Sequence, residues 1–373
     1  MKASAAILAA STCRLEADAT SRIMNIRAAV DKLERREDLT RAEARAVLEQ
    51  LLSGSVSDAE IMALLVALRD KGERMEELVG FAEVMRAKAS EGLRQAGVNI
   101  ESLQRGGPLL DTCGTGGDEK GTFNVSTATA LVAAAAGVRV AKHGNRSISS
   151  RCGSADVMEA LGVRIDIPLE RIPECLEEVG MVFLFAPRLH LAMKHVMNAR
   201  RALKTKTVFN LLGPLTNPLG ASVQLVGVYD RARTEMMAQA LAQMGARRAL
   251  VVAGHDGMDE ITLSGPTRVS EADQGAVTTR DVVPEDFGLA RAAGETLRGG
   301  DASANAQLLR ETLSGAAGPL RDVVLANASA ALVVAGKAHE FIGGVALARQ
   351  ALDSGAALVT LNKLVQFTQQ AAS

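Results

Sequence analysis

The sequence predicts an α/β protein, with a small helical domain packed on a larger α/β domain that has a central, largely parallel sheet and flanking helices. Three observations lead there. At 373 residues the chain is long enough for more than one domain of roughly 150 residues. From Met24 to about Ala89 its apolar residues recur at helical spacing. From Gly106-Gly107-Pro108 onward, short apolar runs alternate with helix-like stretches, the pattern of successive βα units.

Composition narrows the function classes. A hydrophobic share of 47% with 23% charged residues excludes a disordered chain. The net charge is −1, from 42 basic and 43 acidic residues, so no global field draws in nucleic acid or anionic lipid. Aromatic content of 2%, with no Trp and one Tyr, argues against base-stacking platforms. The 4 cysteines (Cys13, Cys113, Cys152 and Cys175) form no CxxC pair, which suits a reducing compartment better than a disulfide or zinc scaffold. No apolar run approaches the roughly 18 residues of a membrane span, so a cytoplasmic location is expected. Residues 1–23 read as a loose extension whose short apolar run lacks a cleavage site.

Taken in order, Thr40-Arg41-Ala42-Glu43 and Ser57-Asp58-Ala59-Glu60 have capping-box spacing and predict two helix starts. Leu48, Leu51 and Leu52 stripe the first helix, and Gly54 is placed to end it. Ile61, Leu64, Leu65 and Leu68 stripe the second, which closes at Gly72, and Met75, Leu78, Val79 and Ala82 continue the pattern. Short connections between such helices predict an antiparallel bundle over 24–105, joined by about 188–204. The α/β domain then comprises 106–187 and 205–373. Its strands are expected at Pro108–Leu110, Val138–Ala141, Val163–Ile167, Met181–Phe185, Val223–Val228 and Ala249–Ala253. Helices are expected at Thr127–Ala136, Ala155–Leu161, Glu170–Val179 and Thr234–Gly245, and again from about Asn305 onward.

The chemistry begins after the first of these strands. Asp111-Thr112-Cys113-Gly114-Thr115-Gly116-Gly117-Asp118 is a Gly-rich turn, and Asn124-Val125-Ser126-Thr127 opens an Ala-rich helix. Glycines let backbone approach an anion, and free amides at a helix start complete such a site. The glycine spacing fits neither a Walker A loop nor a dinucleotide fingerprint. On residues alone, a phosphate loop and a plain strand–helix turn carry equal weight.

One βα unit later, Val138–Ala141 delivers Lys142-His143-Gly144-Asn145-Arg146 to a strand end, where open α/β sheets bind ligands. Lys142 and Arg146 can neutralise phosphate, and Asn145 offers both a donor and an acceptor. Ser147, Ser149 and Ser150 follow, with Gly153-Ser154 capping the next helix. Two such loops on neighbouring strands point to a ligand with two separate phosphate groups. Asp259-Glu260, after the strand Ala249–Ala253, supplies adjacent carboxylates of the kind that hold Mg²⁺ with water and phosphate oxygens. An adjacent acid pair is more often a solvated surface feature.

In this order the motifs resemble anthranilate phosphoribosyltransferases, and Thr207-Val208-Phe209-Asn210-Leu211-Leu212-Gly213-Pro214-Leu215-Thr216-Asn217-Pro218 extends the resemblance from about Met24 to the C-terminus. The resemblance implies transfer of the phosphoribosyl group of phosphoribosyl pyrophosphate (PRPP) to the amine of anthranilate, the second committed step of tryptophan biosynthesis. It implies Mg²⁺, a homodimer, and neither a nucleic-acid nor a membrane partner. It also implies that PRPP is held by Gly114, Gly117, Asp118, Thr122, Asn124, Val125, Ser126, Thr127, Lys142, His143, Gly144, Asn145, Arg146, Ser147, Ile148, Ser149, Ser150 and Ser154. Gly114, Asn145 and Arg200 would line the anthranilate site, and Ser126, Asp259 and Glu260 would reach the metal. No general acid or base is implied.

The chain departs from the family pattern at several positions. Glu119 and Lys204 stand where glycine is usual, Lys206 where arginine is, and Leu191 and Asn198 where proline is common. Pyrimidine nucleoside phosphorylases also resemble the fold, but favour Lys-x-Ser where this chain has Lys142-His143-Gly144. A non-catalytic nucleic-acid-binding relative would need a basic surface and a degraded Gly-rich motif.

Overall fold

A computed structural model describes residues 24–147 and 151–371; the expected extension at 1–23 and the site candidates Ile148, Ser149 and Ser150 lie outside the described residues. The chain opens with α1 (Ile26–Glu34), α2 (Arg41–Leu51), α3 (Asp58–Lys71), α4 (Met75–Gln95) and a short α5 (Ile100–Arg105). Both expected capping boxes form: Thr40 and Ser57 accept the amides of Glu43 and Glu60, whose carboxylates accept in return. Each box satisfies amides that a helix start otherwise leaves unpaired. Leu48, Leu51, Leu64, Leu65, Leu68 and Leu78 are buried between these helices.

The sheet follows. β1 (Leu109–Gly114), α6 (Val125–Ala135), β2 (Arg139–Gly144), α7 (Ser154–Ala160), α8 (Ile172–Glu178) and β3 (Met181–Phe185) make its first half. The chain then crosses through α9 (Ala186–Leu189), α10 (Lys194–Leu203) and α11 (Val208–Leu212). It returns to the sheet as β4 (Val223–Gly227), α12 (Thr234–Gln243), β5 (Arg248–Gly254), β6 (Thr267–Asp273) and β7 (Ala276–Val282). Four helices close the chain: α13 (Ala302–Leu313), α14 (Pro319–Val334), α15 (Phe341–Asp353) and α16 (Ala356–Gln370).

The strand order is β3-β2-β1-β4-β5-β6-β7, parallel from β3 through β5 and antiparallel for β6 and β7. The order reverses between β1 and β4, which opens a crevice at their C-terminal ends. Alternation along β4 and β5 feeds two cores. Leu225, Leu250 and Val252 join the core built by α6, α7, α8 and α13–α16. Val226, Val251 and Ala253 join the core of α1–α4, α10 and α12. The bundle core is therefore continuous with one face of the sheet. Among the described residues no helix is long and apolar enough to cross a membrane.

Three expectations need correction. Val163–Ile167 is not a strand, although Val163, Ile165 and Ile167 are buried in alternation. That segment is tied to α16, where Arg164 N donates to Thr368 Oγ1 at 3.1 Å, so the period-two pattern reflects packing on a helix. The segment is not among the strands of the sheet, which ends at β3. The hairpin of β6 and β7 was not expected; Gln274 and Gly275 form its turn at φ 48 and 90, the left-handed pair that a two-residue hairpin requires. Finally, Glu170–Val179 divides into a 3₁₀ turn, Leu169–Arg171, and α8, with Pro173 in the first turn of that helix.

Candidate active site

The crevice is built on glycines that permit close approach. Gly114 and Gly227 face each other in register at the ends of β1 and β4. A Cβ at Gly227 would lie 1.5 Å from the Asp259 carbonyl oxygen, and one at Gly114 would lie 2.6 Å from Asp259 Oδ2. A side chain at Gly227 would expel the acidic loop, and one at Gly114 would displace the Asp259 carboxylate. The same Asp259 oxygen accepts the Gly116 amide at 3.0 Å. The acidic loop is also anchored from behind. Asn327 on α14 accepts the Ile261 amide and donates to the Ile261 carbonyl, both at 3.0 Å.

Asp259 and Glu260 are therefore not a solvated surface pair. Glu260 is buried and Asp259 half-buried. Burial, then the nearby Asp118 charge, raises the Asp259 carboxyl to about 7. Burial and Asp259 push the Glu260 carboxyl well above the usual range, opposed by Lys142. Asp118 Oδ2 is itself buried without a hydrogen-bond partner. The Asp259 and Glu260 carboxyls, held above their usual range beside the orphaned Asp118 oxygen, suit a cation. Among the described residues no three His, Cys, Asp or Glu side chains form a metal cage. This donor set matches Mg²⁺, which keeps water and substrate oxygens in most positions.

Lys142 organises the other side of the crevice. Its buried ammonium donates to the Thr112 carbonyl and, at 3.2 Å, to Ser126 Oγ. Burial lowers its pKa, while Asp111 and Glu260 act in the opposite direction. Asp111 in turn accepts the His143 amide at 3.0 Å and Asn217 Nδ2 at 2.8 Å. Asn217 also donates to the Ala141 carbonyl at 2.8 Å, so one buried amide joins β1, β2 and the segment after α11. Fully buried and fully bonded, this network fixes the two phosphate-type loops relative to each other.

The remaining candidates divide by what they offer. The amides of Val125 and Thr127 already donate to Phe123 O and Asn124 O, at 2.8 and 3.1 Å, and both side chains are buried. Ser126 is thus the member of that helix start with a half-buried hydroxyl facing Lys142. Asn124 Oδ1 accepts from Asn305 on α13 at 3.0 Å, and Thr122 pairs with Arg298. In the second loop, Ser154 Oγ accepts the Asn145 amide at 3.2 Å, close to Gly144, where a Cβ would meet it at 2.4 Å. Ser154 is the first residue of α7, and the Ser147 amide donates to Asp156 at 3.1 Å. Arg146 faces α7 in this structure. Its guanidinium pairs with Asp156 at 3.0 Å and with Glu159, so it is committed to α7.

Arg200 sits on α10 with its guanidinium 4.8 Å from the Phe209 ring centroid, and among the described residues it pairs with no carboxylate. Burial lowers it to about 10. No hydrogen bond joins Arg200 to Gly114 or Asn145 among the described residues. The structure adds a residue that no motif marks, His190, whose ring lies 5.1 Å from that of His143. Both have a buried Nε2 without a partner. Burial lowers both, His190 to about 3, so two neutral imidazoles stand between the end of β2 and α10.

Comparison with known proteins agrees with this geometry. Residues 106–358 match the glycosyl transferase family a/b domain, and residues 27–89 match the helical bundle domain of the same family. An anthranilate phosphoribosyltransferase of Syntrophobacter fumaroxidans is 50% identical over 342 residues, covering 91% of this chain and 98% of the relative. The chain belongs to the anthranilate phosphoribosyltransferase family. The crystal structure of the Thermus thermophilus member is 46% identical, with a TM-score of 0.82 over 91% of this chain and 99% of that one. The Saccharomyces cerevisiae member, solved with PRPP and Mg, is 26% identical with a TM-score of 0.80, covering 92% and 98%.

Proposed function

We propose that the chain transfers the 5-phosphoribosyl group of PRPP to the amine of anthranilate, giving N-(5′-phosphoribosyl)anthranilate and pyrophosphate for tryptophan biosynthesis. The observation that carries this reading is the pairing of Asp259 with the Gly-rich loop at the β1/β4 crevice, beside the Lys142–Ser126 contact. In the reaction the C1′–oxygen bond to diphosphate breaks, a C1′–nitrogen bond forms, and the amine gives up a proton. Positive charge grows on the ribose while diphosphate departs with the bonding pair. Catalysis consists of holding the amine in line and stabilising the leaving group.

The chain's residues take these roles. Gly114, Gly117, Asp118, Ser126 and Lys142 hold the diphosphate end, while Gly144, Asn145, Ser147 and Ser154 hold the 5′-phosphate and ribose. Arg200 receives the anthranilate carboxylate in a bidentate pair, a geometry its planar fork favours. Asp259, Glu260 and Ser126 would hold Mg²⁺, with Asp118 as a further carboxylate. When bound, Mg²⁺ neutralises charge on the leaving diphosphate.

Residues 24–105 with 188–204 make the helical domain. Val196 and Ala199 of α10 support this, because they are buried in the core of α1–α4. A homodimer and a cytoplasmic location complete the proposal, and both rest on the family. Release of pyrophosphate that requires anthranilate, PRPP and Mg²⁺ together tests the reaction. Release without anthranilate would mean hydrolysis instead.

A further inference from the structure

Lys206 belongs to the short connection between α10 and α11, and its side chain lies across the Gly-rich loop. A Cβ at Gly117 would be 3.0 Å from Lys206 Cε and 3.6 Å from Nζ. Its ammonium sits 4.1 Å from the centroid of the Tyr229 ring, and among the described residues it makes no hydrogen bond or ion pair. Tyr229 is the chain's one tyrosine, and its amide donates to Thr115 Oγ1 in the same loop at 3.2 Å. The ring is therefore fixed to the loop and holds the ammonium beside it by cation–π attraction.

The surrounding charges make this placement informative. Asp118, Asp259 and Glu260 crowd three carboxyl groups at the crevice, and the Lys142 ammonium is buried against Thr112 and Ser126. Arg146, the other cation expected there, is paired with α7. Lys206, like Lys120, lacks an anionic partner among the described residues; of the two it is Lys206 that lies over Gly117, whereas Lys120 lies beside Gly257. Through the connection after α10 it shares a segment with Arg200.

We infer that Lys206 is a diphosphate-binding residue, held ready by Tyr229, that moves its ammonium from the ring to the leaving diphosphate of PRPP when the substrate enters. An aromatic face is a weaker partner than an oxyanion, so the lysine is positioned without being neutralised beforehand. The inference rests on the proposed reaction. It deepens that reading by giving one chain segment two cations, Arg200 for the acceptor carboxylate and Lys206 for the donor diphosphate.

The test is binding of inorganic pyrophosphate, with and without Mg²⁺, by isothermal titration calorimetry on the full chain, beside steady-state kinetics. Lys206→Met is expected to weaken pyrophosphate binding and raise the KM for PRPP by about ten-fold, the scale of one charge-assisted bond. The KM for anthranilate should stay within about two-fold. Lys206→Arg should restore affinity, and Tyr229→Leu should give an intermediate loss. Unchanged pyrophosphate binding in Lys206→Met overturns the inference. So does an equal loss for both substrates with a lower melting temperature, which would mark a packing role. Should the wild type bind pyrophosphate yet transfer no phosphoribosyl group, the reaction fails while the binding series still decides the role of Lys206.

Discussion

Asp259 Oδ2 accepts the Gly116 amide at 3.0 Å across 143 residues of chain. That bond joins the acidic loop after β5 to the Gly-rich loop after β1, and it forms only because Gly114 leaves room. Gly114→Ala would bring a methyl carbon within 2.6 Å of the same oxygen. Because the carboxylate is the mobile partner, the fold should survive while the bond breaks. The expected outcome is a PRPP KM at least about ten-fold higher with a nearly unchanged melting temperature. An unchanged KM would mean that the contact does not shape the PRPP site.

The acid pair predicts a separation of stability from activity. Asp259 at about 7 and Glu260 well above its ordinary value are carboxylates whose charge the fold disfavours. Stability is lost as pH rises from the ordinary carboxylate range towards these raised values, because the folded state holds protons that the unfolded state has released. Asp259→Asn/Glu260→Gln should raise the melting temperature without Mg²⁺ and raise the Mg²⁺ concentration for half-maximal rate. Thermal melts and a Mg²⁺ titration check both. A lower melting temperature would make the pair a structural network.

Arg200→Ala should weaken use of anthranilate by about ten- to a hundred-fold, the range of a charge-assisted bond of roughly 1.5–3 kcal/mol. PRPP affinity should hold within about two-fold. Equal losses for both substrates would reduce Arg200 to packing on Phe209.

Two departures from the family's glycines occupy left-handed backbone: Glu119 at φ 58 and Lys204 at φ 48. A side chain there costs about 1–2 kcal/mol relative to right-handed geometry, and glycine avoids the clash. Lys204→Gly should therefore raise stability by about 1 kcal/mol, read from the urea midpoint. Glu119→Gly should do the same and lower the PRPP KM by removing an acid from the loop. No gain in either would show that the strain is relieved locally.

Acid sensitivity should arise partly at His190. Its value falls from 6.5 to about 3, so the unfolded chain binds a proton that the folded chain refuses. Stability present above pH 6.5 is lost progressively as pH falls towards 3, with a limiting slope of about 1.4 kcal/mol per pH unit. His190→Gln should flatten urea midpoints between pH 6 and 4 relative to wild type. Parallel curves would mean that carboxylates alone set the acid limit.

Much of this was legible in the sequence because local chemistry and tertiary structure agree. Thr40–Glu43 and Ser57–Glu60 form the capping boxes their spacing implies, and Gly114 and Gly144 mark close approaches. What was not legible depends on partners distant in sequence. The burial of Glu260, the commitment of Arg146 to Asp156 and Glu159, and the Asn327 bracket around Ile261 arise only on folding. Val163–Ile167 misled for a related reason, since packing on α16 imposes the same alternation as a half-buried sheet. Asn217 was visible in its motif, but its link between Asp111 and Ala141 was not.

The central claim is tested most directly by following anthranilate fluorescence with PRPP and Mg²⁺, in parallel with thymidine and phosphate. Fluorescence should decay with PRPP present, and thymidine should remain uncleaved. Thymidine cleavage with stable anthranilate fluorescence would contradict the account and place the crevice among the nucleoside phosphorylases.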